Sequence, residues 1–294
     1  MTRTSSGRSI HLRRRGTSYF SAASPIRLRV VPNSQKRIME VVTAPAELAA
    51  DLRVAVPGNQ LFPVFQPQID LRTGDIVAVE GLCRWRHPRL GLVPAQEFID
   101  LAERSGTIHD IGDFMLDVCF AAAEAWHADG LRISVSVNTS PVQLASEVFA
   151  DALVRRLRST SLPARTMTVE ITESLPVSDM GVMVPRLQEL RQLGLGVALD
   201  DFGTGHASAD QLADLPVTEL KLDRILIQHD QEYPAEDLAD VVANAHARGI
   251  RVVAEGVETP RHLRRAETIG CDRAQGYLLG RPMTRDAIDQ LLAA

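Results

Sequence analysis

The chain is expected to fold as an α/β protein, a (β/α)8 TIM-type barrel. Three observations predict this. Short runs rich in Val, Ile and Leu alternate with amphipathic helical stretches along most of the chain. The runs lack strict alternation, as expected of strands buried on both faces. Glycine follows the helical stretches at Gly130, Gly194, Gly249 and Gly270, where a left-handed stop belongs. About eight strands and about eight helices fit a chain of barrel length. A doubly wound sheet is the alternative, but no GxGxxG or P-loop stretch stands where it should.

The elements follow in order. Residues 1–44 show no sustained periodicity and read as a disordered extension. Pro45 suits the first position of a helix, and Ala46 to Val56 carries Leu48, Leu52 and Ala55 on one face. Pro57-Gly58-Asn59 breaks it. Leu61 to Pro67 is extended, because two prolines disfavour helix. Arg72-Thr73-Gly74-Asp75 is a turn, and Ile76 to Glu80 is a strand ending on an acid. A helix over Phe114–His127 precedes the strand Ile133–Asn138. A helix over Phe149–Arg158 precedes Met167–Glu173. Met183, Leu187 and Leu190 mark the next helical stripe, before Val197–Asp201. Glu219–Asp223 is a strand. Leu238, Val241, Val242 and Ala245 form a helical face before Arg251–Gly256. A helix over Leu263–Ile269 precedes Ala274–Leu279, and Arg285–Leu292 is the terminal helix.

Composition limits the class. Hydrophobic content of 45% and charged content of 23% are ordinary for a globular chain. No apolar stretch approaches the ~20 residues that span a bilayer, and no secretory leader is evident. Cys83, Cys119 and Cys271 are odd in number, far apart and unsuited to zinc, so reduced thiols in a cytoplasm are expected. The net charge is −5, but residues 1–39 hold nine Lys/Arg and no acid, which leaves 23 basic against 37 acidic residues beyond them. Such a body repels anions unless bound cations reverse the local field. The Arg- and Ser-rich tail has two other readings, a transit peptide and a nucleic-acid arm, and Met39 is a second candidate start.

Barrel enzymes place their chemistry at the C-terminal ends of the strands. Those ends carry Gln66, Glu80, Asn138, Glu170, Asp200 with Asp201, Lys221, Glu255 and Gln275. Any single acid here could cap a helix, and Asp200-Asp201 could be a solvated turn. Six oxygen donors from five strands at one mouth are better explained by metal. All are hard oxygen donors, which favours Mg²⁺ or Mn²⁺ over zinc. Adjacent aspartates suit a metal pair, the arrangement used on phosphoesters. Lys221 and Lys36 are the two lysines against thirty arginines. A compact ammonium inside a strand suggests a task the planar guanidinium cannot do, such as holding a water or moving a proton. A buried ion pair is the plain alternative.

Several stretches carry more than their strand positions: Glu80-Gly81-Leu82, Arg84-Trp85-Arg86-His87-Pro88, Val137-Asn138, Glu170-Ile171-Thr172-Glu173-Ser174 and Asp200-Asp201-Phe202-Gly203-Thr204-Gly205. Leu220-Lys221-Leu222-Asp223-Arg224, Val253 to Thr259 and Gln275-Gly276-Tyr277 complete the set. Together they resemble the EAL-domain cyclic di-GMP phosphodiesterases. The resemblance runs from about residue 46 to the C-terminus and divides the chain into a 1–44 extension and a 45–294 phosphodiesterase domain. It implies a barrel whose first strand runs antiparallel to the others. It implies two Mg²⁺ or Mn²⁺ ions per site and a water that opens cyclic di-GMP to linear pGpG. Glu80, Asn138, Glu170 and Asp200 would hold one metal, and Asp200 would bridge to the second with Asp201 alongside. Glu255 would bind metal directly or through water. Lys221 would position the attacking water, and Gln275 would support that water. Gln66, Leu82 and Arg84 would hold the substrate, and Glu173 would buttress the loop after the aspartates. A cytoplasmic homodimer is implied, with no nucleic-acid polymer as partner and no membrane insertion.

Three departures stand out. Gly81 replaces the family's alanine, a small change expected to be tolerated. Phe65-Gln66-Pro67-Gln68 replaces Tyr-Gln-Pro-Ile but keeps the glutamine. After Asp201 the chain has Gly205-His206-Ala207-Ser208-Ala209 where the family has Gly-Tyr-Ser-Ser-Leu, which bears on metal affinity and dimer contacts. His206 is expected as a loop residue rather than a ligand. The rival class is a non-catalytic cyclic di-GMP receptor or protein-interaction module. A third reading is an enolase-like Mg²⁺ barrel with Lys221 as base, and the adjacent aspartates argue against it.

Overall fold

The computed structural model describes residues 45–173, 180–204 and 215–293. The extension, Met39, Ser174 and the His206-Ala207-Ser208-Ala209 stretch lie outside the described residues. Among the described residues there are nine strands: β1 Leu61–Asp70, β2 Ile76–His87, β3 Gly91–Val93, β4 Ser134–Asn138, β5 Met167–Thr172, β6 Gly196–Phe202, β7 Glu219–Leu222, β8 Arg251–Ala254 and β9 Arg273–Gln275. Eight of them close a barrel in the order β1-β9-β8-β7-β6-β5-β4-β2, with β2 returning to pair with β1. β3 lies outside that ring, on the far end of β2, with Trp85 opposite Val93 and His87 opposite Gly91.

Neighbours from β2 round to β9 are parallel, and β1 is antiparallel to both β2 and β9. The link between β1 and β2 explains this. A parallel crossover needs a dozen or more residues, whereas a tight turn can join only antiparallel strands. Here the Asp70 carboxylate accepts from the Arg72 and Thr73 amides, and Gly74 turns at φ 80°. Apart from the β2–β3 turn, the described links between the remaining strands run through helices, which cover the outside; most of the link from β6 to β7 lies outside the described residues. The longest is Ile108–Ala128; Glu147–Ser159, Met180–Gln192, Ala235–Ala247 and Pro260–Ile269 follow, and Arg285–Leu292 is the last. Gly130, Gly194, Gly249 and Gly270 all take positive φ.

The apolar strand residues are buried against these helices. Val79, Val135, Val169, Val197, Leu220 and Val252 have almost no exposure, and Met183, Leu187 and Leu190 are buried on the helix that packs on β6. At the β2 end, Trp85 and Phe98 pack edge to face at 5.9 Å. No described helix is long and apolar enough to cross a membrane.

The structure corrects several boundaries. β2 does not stop at Glu80 but runs on to His87, because β1 pairs with it as far as Leu61 opposite Trp85. Glu80 and Gln66 therefore face each other in mid-strand rather than at strand ends. Helix Ala95–Ser105 and strand β3 were not expected, and the helix read from Phe114 starts at Ile108. The last strand stops at Gln275, and the chain turns at Gly276, where a Cβ would fall 2.3 Å from the Val257 backbone.

Candidate active site

Lys221 is the geometric centre of the barrel mouth. It sits third in β7, fully buried, with its Nζ 2.8 Å from Glu170, 2.8 Å from Glu255, 3.1 Å from Asp200 and 3.4 Å from Glu80. β5, β6 and β2 bring three of these carboxylates, and Glu255 follows β8 directly. Burial alone would push the ammonium down. The charges of Asp200, Glu170, Glu255 and Glu80 outweigh that and hold it well above its ordinary value.

The carboxylates are pulled apart in the opposite sense. Burial, then the Glu80 charge, holds Glu170 well above the usual range. Burial and Asp200 do the same to Glu255, and burial also raises Asp200. Burial raises Glu80 too, but the Lys221 charge and hydrogen bonds from Asn138 (2.7 Å) and Gln275 (2.6 Å) turn its net shift downward. Glu80 is thus the carboxylate best kept ionised. Gln275 also donates to Gln66 at 3.3 Å, and Gln66 donates to the Gly280 carbonyl at 3.1 Å. That chain fixes the amides beneath Glu80.

Asp200 and Asp201 are consecutive in β6, so a regular pleat would send them to opposite faces. The ladder to β7 shifts register between Leu199 and Phe202, and Asp201 takes φ 57°. This irregularity turns both carboxylates to the same side. The strain of a non-glycine residue at positive φ lies at the mouth, where functional sites commonly hold it. Burial, with the charges of Asp200 and Asp223, raises Asp201 to about 6. Its neighbour Gly203 donates its amide to Glu173 at 2.6 Å. Glu173 therefore lies outside the carboxylate cluster and touches the turn after the aspartates.

Two sets of oxygens are close enough to share an ion. Glu80, Glu170 and Asp200 each offer an atom within 4.8 Å of the others, and so do Asp200, Asp201 and Glu255. Asp200 is common to both. Glu170 Oε1 is buried without a hydrogen-bond partner, and so is Gln275 Oε1. A buried orphan oxygen carries a desolvation cost that a cation would remove. Hard divalent ions fit this donor set.

Two cavities meet at the cluster. One, of about 780 Å³, is lined by Leu82, Arg84, Asn138, Glu170, Asp201 and Glu255 among others. The second, of about 220 Å³, is lined by Gln66, Glu80, Leu82, Asp200, Gln275 and Tyr277 among others. Leu82, Arg224, Glu255 and Gly256 line both. Every expected site residue except Glu173 therefore lies in the cluster or on these walls. Arg224 and Tyr277 are wall residues to which sequence reasoning gave no role, although both adjoin residues that it singled out. Gly81 is also explained: a Cβ there would meet Cys119 Sγ at 2.4 Å. An alanine here would require the Cys119 sulfur or the strand to shift.

The comparisons agree with this geometry. The family model of the EAL domain matches residues 49–282. The chain belongs to the EAL domain family. It is 36% identical over 255 residues to the bifunctional diguanylate cyclase/cyclic di-GMP phosphodiesterase MucR of Pseudomonas aeruginosa, covering 84% of this chain and 36% of that protein. It is 34% identical over 262 residues to the cyclic di-GMP phosphodiesterase PdeR of Escherichia coli, covering 88% and 39%. The chain thus spans less than half the length of these curated relatives. Among solved structures, the PaMucR phosphodiesterase in complex with c-di-GMP superposes with a TM-score of 0.76 at 35% identity, covering 82% of this chain and 99% of that one. The EAL domain of Mycobacterium smegmatis DcpA gives 0.66 at 34% identity, covering 80% and 97%. The antiparallel first strand expected of an EAL domain is present.

Proposed function

We propose that this EAL domain hydrolyses cyclic di-GMP to linear pGpG with two Mg²⁺ or Mn²⁺ ions. The observation that carries the reading is the pair of oxygen sets sharing Asp200 around one buried ammonium. Five carboxylates against one ammonium leave a deficit of four charges, which two divalent ions would balance. Glu80, Asn138, Glu170 and Asp200 would hold one ion, and Asp200, Asp201 and Glu255 the other. Bound there, the ions would supply Lewis acidity toward the phosphodiester and lower the pKa of water.

The chain's own groups supply the rest. Asn138 donates its amide nitrogen to Glu80 and so presents its oxygen outward. Lys221 carries a firmly held proton at Nζ and can stabilise negative charge growing on phosphate oxygens. Arg84, whose Nη1 donates to the Cys83 carbonyl at 2.9 Å, lines the larger cavity and suits the substrate phosphate. Leu82, on the walls of both cavities, and Gln66, beside the smaller one, would position a two-base ligand across the cluster. Gln275 steadies Glu80 and would support the attacking water. Glu173 supports the turn after Asp201. Water's oxygen bonds to phosphorus as one ester P–O bond breaks; the leaving sugar oxygen takes one of the water's protons to become a hydroxyl, and the terminal phosphate keeps the water's oxygen. The reading includes the boundary near residue 45, a cytoplasmic setting, a homodimer, and a dinucleotide rather than a polymer as ligand.

Purified protein with Mn²⁺ should convert cyclic di-GMP to pGpG on a chromatographic assay, and chelator should stop it. Glu80→Ala should abolish turnover while the circular dichroism spectrum is kept. Full turnover in that variant would sink the ligand assignment. Binding by calorimetry with no product would select the receptor reading instead.

A further inference from the structure

A third cavity, of about 310 Å³, opens at the opposite end of the barrel, and it is basic. Ser134 and Gly196 begin β4 and β6, Thr168 is second in β5, and Arg251 begins β8; all line it. Arg132, Arg165, Arg191 and His127 complete a wall that contains no carboxylate. In a chain with more acids than bases this is a local reversal of sign. Among the described residues, Arg132 and Arg165 have no ion-pair partner, and Arg191 donates only to the Leu195 carbonyl, at 3.1 Å. Arg251 shares the single Glu219 carboxylate with Arg273, at 2.9 and 3.5 Å, so that trio keeps a net positive charge.

One plain explanation accounts for part of this. Helices end at this face, and cations complement their C-terminal dipoles. Arg191 stands in a last turn and serves that purpose. Arg132, Arg165 and Arg251 do not: they lie in a loop, a short 3-10 turn and a strand. We infer that this basal cavity binds a small phosphoryl oxyanion of the diphosphate class, at a site separate from the carboxylate mouth. The volume equals about ten waters at ~30 Å³ each, more than a single phosphate fills. Guanidiniums pair with phosphoryl oxygens through two parallel hydrogen bonds. The wall has no Phe, Tyr or Trp on which a nucleobase could stack. The inference does not depend on the phosphodiesterase reading.

The test is calorimetric titration of the full chain with sodium pyrophosphate, at low salt and with chelator present so that no metal can tether the probe at the mouth. One site per chain is expected, weakening as salt rises. Arg132→Gln/Arg165→Gln should lower affinity at least about tenfold, since each lost charge-assisted contact is worth roughly that factor. Arg84→Gln should leave it within about twofold. Both basal side chains are exposed, so the double variant should fold, and Arg165→Gln alone gives a milder check. GDP as a second probe distinguishes free diphosphate from one carried on a nucleoside; binding of either that depends on Arg132 and Arg165 supports the site. No heat at millimolar pyrophosphate, unchanged affinity in the double variant, or loss only in Arg84→Gln overturns it. Binding of an acidic peptide where pyrophosphate fails also overturns it and assigns the face to a protein partner.

Discussion

Gly81 offers a sharp test of the packing beneath the mouth. Its neighbours are the carboxylate Glu80 and the cavity residue Leu82, so whatever moves residue 81 moves both. A Cβ at 81 would lie 2.4 Å from Cys119 Sγ, 3.3 Å from the Ser136 carbonyl and 3.6 Å from Met115 Cε. Ordinary contact distances are about 3.5–4.0 Å, so the sulfur or the strand must give by roughly 1 Å. Cys119 is buried within Ile108–Ala128 and has little room to retreat. Overpacking of this kind costs about 1–3 kcal/mol, and a domain of this size loses roughly 2–4 °C of Tm per kcal/mol. Gly81→Ala should therefore lower Tm and also slow turnover, through displacement of Glu80. Cys119→Ala alone leaves a small void, costing about 1 kcal/mol. Combined, the two should be nearly compatible: only the Ser136 carbonyl remains tight. The double-mutant cycle should show a favourable coupling of about 1–2 kcal/mol, with turnover recovering. Thermal denaturation of the four proteins with chelator, alongside the pGpG assay with Mn²⁺, measures it. Strict additivity would refute the steric account, as would Gly81→Ala behaving like wild type in both backgrounds.

Three further outcomes follow from the same geometry. Lys221→Met strands four carboxylates without their cation; breaking such a buried set costs about 3–5 kcal/mol, so Tm in chelator should drop sharply and Mg²⁺ should restore more of it than in wild type. Equal metal effects on both proteins would count against this. Asp201, raised to about 6 from the ordinary aspartate value of 3.8, binds its proton more tightly folded than unfolded. Its contribution to the chelated protein is fully present below the unfolded value and is lost as pH rises through about 6, so Tm in chelator should fall across that window relative to Asp201→Asn, while Mn²⁺ should flatten the difference. Glu173→Gln removes a charged acceptor from the Gly203 amide, and Mn²⁺ affinity should fall with little change in Tm; unchanged Mn²⁺ titration would remove Glu173 from the loop-supporting role.

Much of the barrel was legible because its parallel strands repeat one design, an apolar run ending in a polar residue after a glycine-stopped helix. Val197–Asp201 and Arg251–Gly256 fall almost on β6 and β8 for that reason. The rule failed where strands are not of that kind. In β2 the apolar run ends near Glu80, but the strand continues through Arg84 and Arg86, held by β1 on one side and β3 on the other. Polar residues there disguise a strand whose pairing is decided by distant chain. Helix Ala95–Ser105 buries Phe98, Leu101 and Ala102 on one face, a short helical periodicity already legible in the sequence. The oxygen cluster was legible because each member sits next to a recognisable strand. The way Asp201 joins it was not, since a register shift and a positive φ depend on β7 alongside.

The position of Lys221 also shows why the cluster can fold before any ion arrives. Glu80, Glu170, Asp200 and Glu255 come from separate strands or the residue just beyond one, and closing the barrel forces them together whether or not their charge is balanced. Without a cation, mutual repulsion and burial would favour protonating them or opening the mouth. The ammonium touches all four, so folding requires only partial neutralisation, and the upward shift of Glu170 and Glu255 under burial lowers the cost of the charge that remains. A guanidinium would be a poor substitute. Its planar fork is larger and its donors are fixed in one plane, whereas an ammonium directs three protons into a tetrahedral surround. The choice of lysine at this strand position, in a chain with thirty arginines and one other lysine, follows from the shape of the space between four carboxylates.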